Sequence, residues 1–187
     1  MKYVRQALPV AVLLLFASAV QAIAQRGVTE IGVDMAFAYE TETELFGILL
    51  PAGGTVENLV GPQGAVRFGF FLSDAVSLEP ATSLSLLTGD GETLTSWAFA
   101  TKLLYHLQTD ASRARPYLAL GGTFTLVSNG DSSTQFGGVV DIGVKIPINE
   151  RVGARLAASY THGFENDDFY SRNVIAAVFG LSVFLGG

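Results

Sequence analysis

From Ile31 onward the chain alternates large apolar residues with small or polar ones, residue by residue, in eight separate segments. In the first, Ile31, Val33, Met35, Phe37 and Tyr39 stand on one parity, and Gly32, Asp34, Ala36, Ala38 and Glu40 on the other. The same split recurs over 65–72, 76–86, 97–106, 118–126, 140–146, 155–161 and 178–183. A period of two is the signature of β-strands with two unlike faces, and no helical period competes with it. The composition sharpens this reading. The chain is 49% apolar and 15% charged, yet beyond the first two dozen residues it has no apolar run long enough for a membrane helix, which takes about 18 residues or more.

The amino terminus follows other rules. Lys2 and Arg5 precede an apolar stretch from Ala7 to Val20, and Ala22-Ile23-Ala24 has the small-x-small form of a signal-peptidase site. The sequence therefore predicts a cleaved export signal over residues 1–24 and a single β-domain over 25–187. With no Cys, disulfides, thiolate metal sites, Cys nucleophiles and Cys-linked lipids are excluded. A net charge of −6 and a pI near 4.8 argue against nucleic acid as a partner. No cofactor is expected.

The connections alternate as well. At one end lie Ser73-Asp74, the 108–115 stretch and Asn149-Glu150, two of the three being tight turns, whereas 41–63, 88–93, 128–133 and 163–172 read as loops at the other. An even number of strands with turns at one end and loops at the other is the layout of an outer-membrane barrel, all-β, antiparallel and up-and-down. It puts both termini in the periplasm and the loops outside the bacterial cell. The Gly, Ala, Ser and Thr face suits the crowded interior of so narrow a barrel, leaving the large aliphatics as a lipid-facing belt. Tyr39, Trp97, Tyr105, Phe124, Phe136 and Tyr160, near strand ends, fit interfacial girdles. Gly121-Gly122 and Gly137-Gly138 read as points of barrel curvature.

The run Arg67-Phe68-Gly69-Phe70-Phe71-Leu72-Ser73-Asp74, then Leu78-Glu79-Pro80, Arg115-Pro116-Tyr117 and Phe164-Glu165-Asn166, resembles the small outer-membrane β-barrel domain family, of the OmpA and OmpX architecture. The resemblance spans Gly27 to Leu185, and its motifs concern barrel construction rather than chemistry. It implies insertion by the barrel assembly machinery. Such barrels commonly finish on an aromatic residue, whereas here Phe184 is followed by Leu185-Gly186-Gly187.

Charges sort by place. Parity assigns Asp34, Glu40, Glu79 and Asp141 with Arg67, Lys102, Lys145 and Arg155 to the interior, four acids against four bases. Unpaired charges in so narrow a lumen would be costly, so this set predicts a salt-bridged, largely plugged barrel rather than an open pore. The loops hold Glu42, Glu44, Glu57, Asp90, Glu92, Asp131, Glu165, Asp167 and Asp168 against Arg172. Of these, Asp90, Glu92, Asp131, Glu165, Asp167 and Asp168 are candidates for cation or lipid contact, with a solvated acidic rim as the plain alternative. Glu30 and Arg115 group with the turn-side charges. If the second and third strands turn about Ser73-Asp74, and the third and fourth about Asp90-Gly91, Glu79 lies between Arg67 and Lys102.

Catalysis finds little support. A lipid hydrolase needs a nucleophile beside its base, and His162, the one residue worth weighing, lies at a lipid-side rim with no Ser of matching parity nearby. His106 faces inward as a packing residue. Pro80 sits within the third strand, where a bulge is expected. Leu45 to Leu50 is too apolar for a surface loop and either extends the first strand or forms a hairpin against the barrel mouth. The expectation is thus a monomeric structural or surface-interacting barrel in contact with outer-membrane lipids. A lipid A deacylase-like enzyme and a narrow solute channel are the alternatives.

Overall fold

The alternating segments become strands because only a sheet puts residues i, i+2 and i+4 on one face. The structure is a computed structural model and describes residues 29–51, 53, 54, 61, 62, 64–89, 92–129 and 131–185. The export-signal segment lies outside the described residues. Ten strands form one antiparallel sheet: β1 (Thr29–Glu40), β2 (Leu45–Leu50), β3 (Gly53–Gly54), β4 (Ala65–Phe71), β5 (Val76–Gly89), β6 (Glu92–His106), β7 (Arg115–Asn129), β8 (Asp131–Pro147), β9 (Val152–Gly163) and β10 (Arg172–Leu185). Each pairs with its sequence neighbour from β4 to β10, and β10 closes on β1 from Thr29↔Leu185 to Glu40↔Val174. β1 and β4 to β10 make a closed eight-stranded barrel. Closure pairs the first wall strand with the last, so the ring has no terminal edge strand, as a strand protein needs to satisfy its backbone in lipid.

Parity assigns the faces as the sequence indicates. Val33, Leu120, Ile142 and Leu181 point outward and are at least half exposed, while Glu30, Arg67, Glu79 and Arg155 point inward and are buried to within 1%. This inverts a soluble protein, in which large apolar side chains make the core and charges face water. Among the girdle aromatics, Phe124 on β7 stands between Phe99 of β6 and Phe136 of β8, with ring centroids 6.3 and 5.2 Å away. Trp97 extends the row at 4.8 Å from Phe99 and donates its indole N–H to Thr82 Oγ1 at 2.9 Å.

Four expectations change. The connections after β5 and β7 are not loose loops, since pairing continues to Gly89↔Glu92 and Asn129↔Asp131. Pro80 makes no bulge: Val66↔Thr82 and Phe70↔Leu78 keep one register on either side of it, with an interruption of the β4 ladder opposite Phe68 and Gly69. The proline faces outward, and its β6 partner Thr101 remains in register. The β4–β5 turn is one residue longer than expected. Leu72 N–H donates to the Val76 carbonyl at 2.9 Å, and the Ser73 hydroxyl oxygen accepts from Ala75 N–H and Val76 N–H at 3.3 and 3.1 Å. Arg67 therefore stands opposite Ala81 rather than Glu79, although Glu79 does pair with Lys102.

The fourth change concerns Leu45 to Leu50. This segment turns back at 41–44, with Glu44 at φ 55°, and runs down beside β1 as β2, from Glu40↔Leu45 to Ala36↔Leu49. β4 pairs with β1 only between Thr29 and Asp34, so β2 occupies the part of the wall that β4 leaves uncovered. Phe46, Ile48 and Leu50 join the outward apolar surface, and Leu49 packs inward on Ala36, Ala38, Val174, Ala176 and Val178. The Pro51 carbonyl accepts from Leu84 N–H of β5 at 3.1 Å. Gly61, at φ 73°, lies in the lumen and donates its N–H to the inward hydroxyl of Thr125 at 3.0 Å.

Candidate functional site: the charged lumen

Eight inward side chains form one connected ion network (Glu30 and Asp34 of β1, Arg67 of β4, Glu79 of β5, Lys102 of β6, Asp141 and Lys145 of β8, and Arg155 of β9). At its centre, Arg155 Nη1 lies 3.0 Å from Glu79 Oε2 and 3.3 Å from Asp34 Oδ2, and Nη2 lies 2.9 Å from Asp141 Oδ2. Arg67 is paired with Glu30 and, at 3.0 Å, with Asp34, and its Nη1 lies 3.8 Å from Glu79. Lys145 donates to both Glu30 and Glu79, and Lys102 to Asp141 at 2.6 Å. The Tyr117 hydroxyl of β7 accepts from Arg155 Nε at 2.6 Å, and the Ser182 hydroxyl of β10 accepts from Arg67. Every strand of the barrel thus contributes at least one group. Four carboxylates face four cations, so the cluster is neutral, as buried charge must be to hold its charged form.

Glycines make room for it. Arg67 lies over its β1 partner Gly32, where an added Cβ would come within 2.5 Å of the guanidinium carbon. Asp34 lies over Gly180 of β10, and Tyr117 over Gly143 of β8, in the same way. Lys102 stands opposite Gly121 of β7, and across that gap its ammonium reaches Asp141 of β8. At Gly121 an added Cβ would meet the Thr101 carbonyl at 2.2 Å and the Lys102 side chain at 2.8 Å, so the glycine permits both the close approach of the strands and the passage of the lysine.

The composition of this cluster departs from the sequence reading in one exchange. Glu30 belongs to it, and its even position on β1, shared with Asp34, was the signal for placing it there. Glu40 does not. It is buried at the loop end, where Thr43 donates to Oε2 at 2.6 Å and Arg172 Nε lies 3.5 Å from Oε1. Asp34, Arg67, Glu79, Lys102, Asp141, Lys145 and Arg155 are brought together. Arg115, grouped by sequence with the turn-side charges, points inward and is 9% exposed.

The candidate loop contacts are dispersed. Glu165, Asp167 and Asp168 are exposed on the β9–β10 loop, while Asp90 and the side chains of Glu92 and Asp131 lie outside the described residues. Among the described residues no three Asp, Glu or His side chains converge to hold a metal ion. The β9–β10 loop is nonetheless organised. Buried Gln135 donates to the Phe164 and Tyr170 carbonyls at 3.2 and 3.0 Å, and Asn166 Oδ1 accepts from Asp168 and Phe169 N–H.

At the rim, Asn173 Oδ1 accepts from Tyr160 at 2.6 Å and contacts His162 Nδ1 at 2.8 Å. Its backbone N–H and side-chain amide both donate to Glu42. Slight burial works against the charged form of Glu42, but these hydrogen bonds outweigh it and hold the carboxyl below its usual range. A lowered folded pKa makes this contact strongest above the ordinary carboxylate range and weakens it as pH falls through the folded value. We expect the Glu42 carboxyl carbon, followed by NMR in the folded protein, to titrate below an exposed glutamate, and Asn173→Ala, which removes the side-chain amide but keeps the backbone N–H, to move it part of the way back. An unchanged midpoint in the variant would rule the contact out.

His106 is buried, touches the Ser77 hydroxyl through Nε2 at 3.0 Å and stacks on Phe71 at 5.5 Å. No carboxylate orients its Nδ1 among the described residues, and Ser77 is fully buried. The pair is within hydrogen-bond reach, but full burial and the unoriented Nδ1 give it the setting of a packing contact.

A closed barrel with an apolar exterior and a charged interior is a protein built to span a membrane on strands. Residues 8–182 match the model of the outer membrane protein β-barrel domain, and the chain belongs to that family. A comparison with curated proteins gives no match. Among solved structures, the fold is similar to Neisserial surface protein A (14% identity, 84% of this chain and 99% of that one, TM-score 0.59). It is also similar to the N-terminal β-barrel domain of Pseudomonas aeruginosa OprF (17% identity, 86% and 98%, TM-score 0.57). A third similar structure is the attachment invasion locus protein Ail of Yersinia pestis in complex with the heparin analogue sucrose octasulfate (9% identity, 86% and 99%, TM-score 0.51).

Proposed function

We propose that this outer-membrane barrel has a structural or surface-interaction role and a closed interior, with its termini in the periplasm and its loops outside the cell. The carrying observation is the neutral ion network that joins all eight wall strands across the lumen. Toward the loop end, Gly61 lies against Thr123 and Thr125, and among the described residues a gap of about 10 Å³ lies between Pro62, Lys102 and Thr123. That is room for about one water molecule and no solute. Purified protein in planar bilayers is expected to give no steady conductance step in concentrated KCl. A sustained ohmic step would overturn the closed interior and favour the channel reading.

The partners on this reading are outer-membrane lipids along the apolar belt and, during insertion, the barrel assembly machinery, with the barrel acting as a monomer. The acidic loops suit neutral or cationic surface partners. They would repel a polysulfated sugar of the kind bound to Ail. Lipid hydrolysis is disfavoured because His162 is engaged by Asn173 and packs on Phe164 at 5.4 Å, and among the described residues no Ser hydroxyl bonds to it.

A further inference from the structure

Beyond the ion network, the lumen opens at the turn end into a cavity of about 710 Å³, a volume within the range of small-molecule sites. Phe71 and Phe184 give it apolar walls, and Arg115 and Lys145 line it as well. The Lys145 ammonium is taken up by Glu30 and Glu79. Arg115 is different. Its Nε donates to the Gln108 carbonyl at 3.1 Å and its Nη2 to the Asp74 carbonyl, and its guanidinium carbon sits 5.0 Å from the centre of the Phe71 ring. Among the described residues it pairs with no carboxylate, whereas Arg67, Lys102, Lys145 and Arg155 each pair with at least one. A guanidinium whose hydrogen bonds go to carbonyls, with the Asp74 and Glu30 carboxylates acting on it only from beyond ion-pair distance, retains a preference for a closer anion.

We propose that this cavity binds a small carboxylate with an apolar body, its head on Arg115 and its body between Phe71 and Phe184. Asp74 and Glu150 line the exposed mouth, so the site disfavours polyanions and selects a single negative charge that reaches its depth. A short acyl chain and the free end of an apolar peptide both carry this chemistry.

The probe is 4-fluorophenylacetate, followed by ¹⁹F NMR with the full chain folded in amphipol. Saturable binding is expected for the wild type and none for neutral 4-fluorobenzyl alcohol. Arg115→Gln should weaken binding about tenfold or more, the effect of losing one charge-assisted contact. Arg115→Lys, which keeps the charge and protects the fold, should retain part of it, and Arg113→Gln, at an exposed position, all of it. Displacement by hexanoate assigns the acyl source and displacement by N-acetylphenylalanine the peptide source, and either supports the site. Binding that survives Arg115→Gln, equal binding of the alcohol, or displacement by neither competitor would overturn it. None of these results bears on conductance, so the site and the closed barrel stand or fall separately.

Discussion

Replacing Glu79 with alanine is expected to lower the unfolding free energy by about 3 kcal/mol or more, read from urea unfolding in lipid vesicles. Glu79 is fully buried and joins Lys145, Arg155 and, at 3.8 Å, Arg67. Removing its carboxylate leaves four cations, Arg67, Lys102, Lys145 and Arg155, facing Glu30, Asp34 and Asp141 alone. The cost comes from the charges left behind, because removing one partner of a buried pair is far more damaging than replacing the whole set by well-packed apolar groups. Glu165→Ala, on the exposed β9–β10 loop, should change stability by roughly 0.5 kcal/mol at most. Equal effects of the two substitutions would mean that the lumen is wet enough to screen its own charges.

The orientation of the wall has an equally sharp test in Leu120→Arg. Leu120 is 68% exposed and stands between Leu103 and Val140, themselves 52% and 50% exposed, on the neighbouring strands. In a soluble barrel, arginine there would be close to neutral. In a bilayer it should cost about 2–4 kcal/mol at the midplane and less toward either interface. Stability unchanged in vesicles would place this face in water and contradict the lipid belt.

The sequence was most legible where a single parity decides the outcome. The eight wall strands, their outward aliphatics and seven of the eight network residues follow from counting by twos. The same count would have placed Glu30 inside, but its position at the edge of the first strand obscured it. Glu40 shares the parity of the network residues and fails on height along the strand, which parity does not encode. Register depends on turn length, and the Ser73 hydroxyl lengthens the β4–β5 turn by one residue. The observed register is displaced by two residues from the expected one, Arg67 standing opposite Ala81 instead of Glu79. Partners across the lumen were least legible, because Lys102 bypasses its neighbour strand only where Gly121 offers no side chain. That is a fact about two residues nineteen positions apart.

The β2 hairpin changes what an engineer may cut. Loops of outer-membrane barrels are natural places for grafts and deletions, and a plain reading of residues 41–64 would mark them as free sequence. Trimming them to a short turn would instead strip the β2 partner from Ala36 to Glu40, leaving a row of backbone donors and acceptors unpaired, at several kcal/mol for each such group that faces hydrocarbon. Cargo displayed on this barrel therefore belongs on the β5–β6 or β7–β8 tips, where strand pairing is complete on both sides of the insertion point.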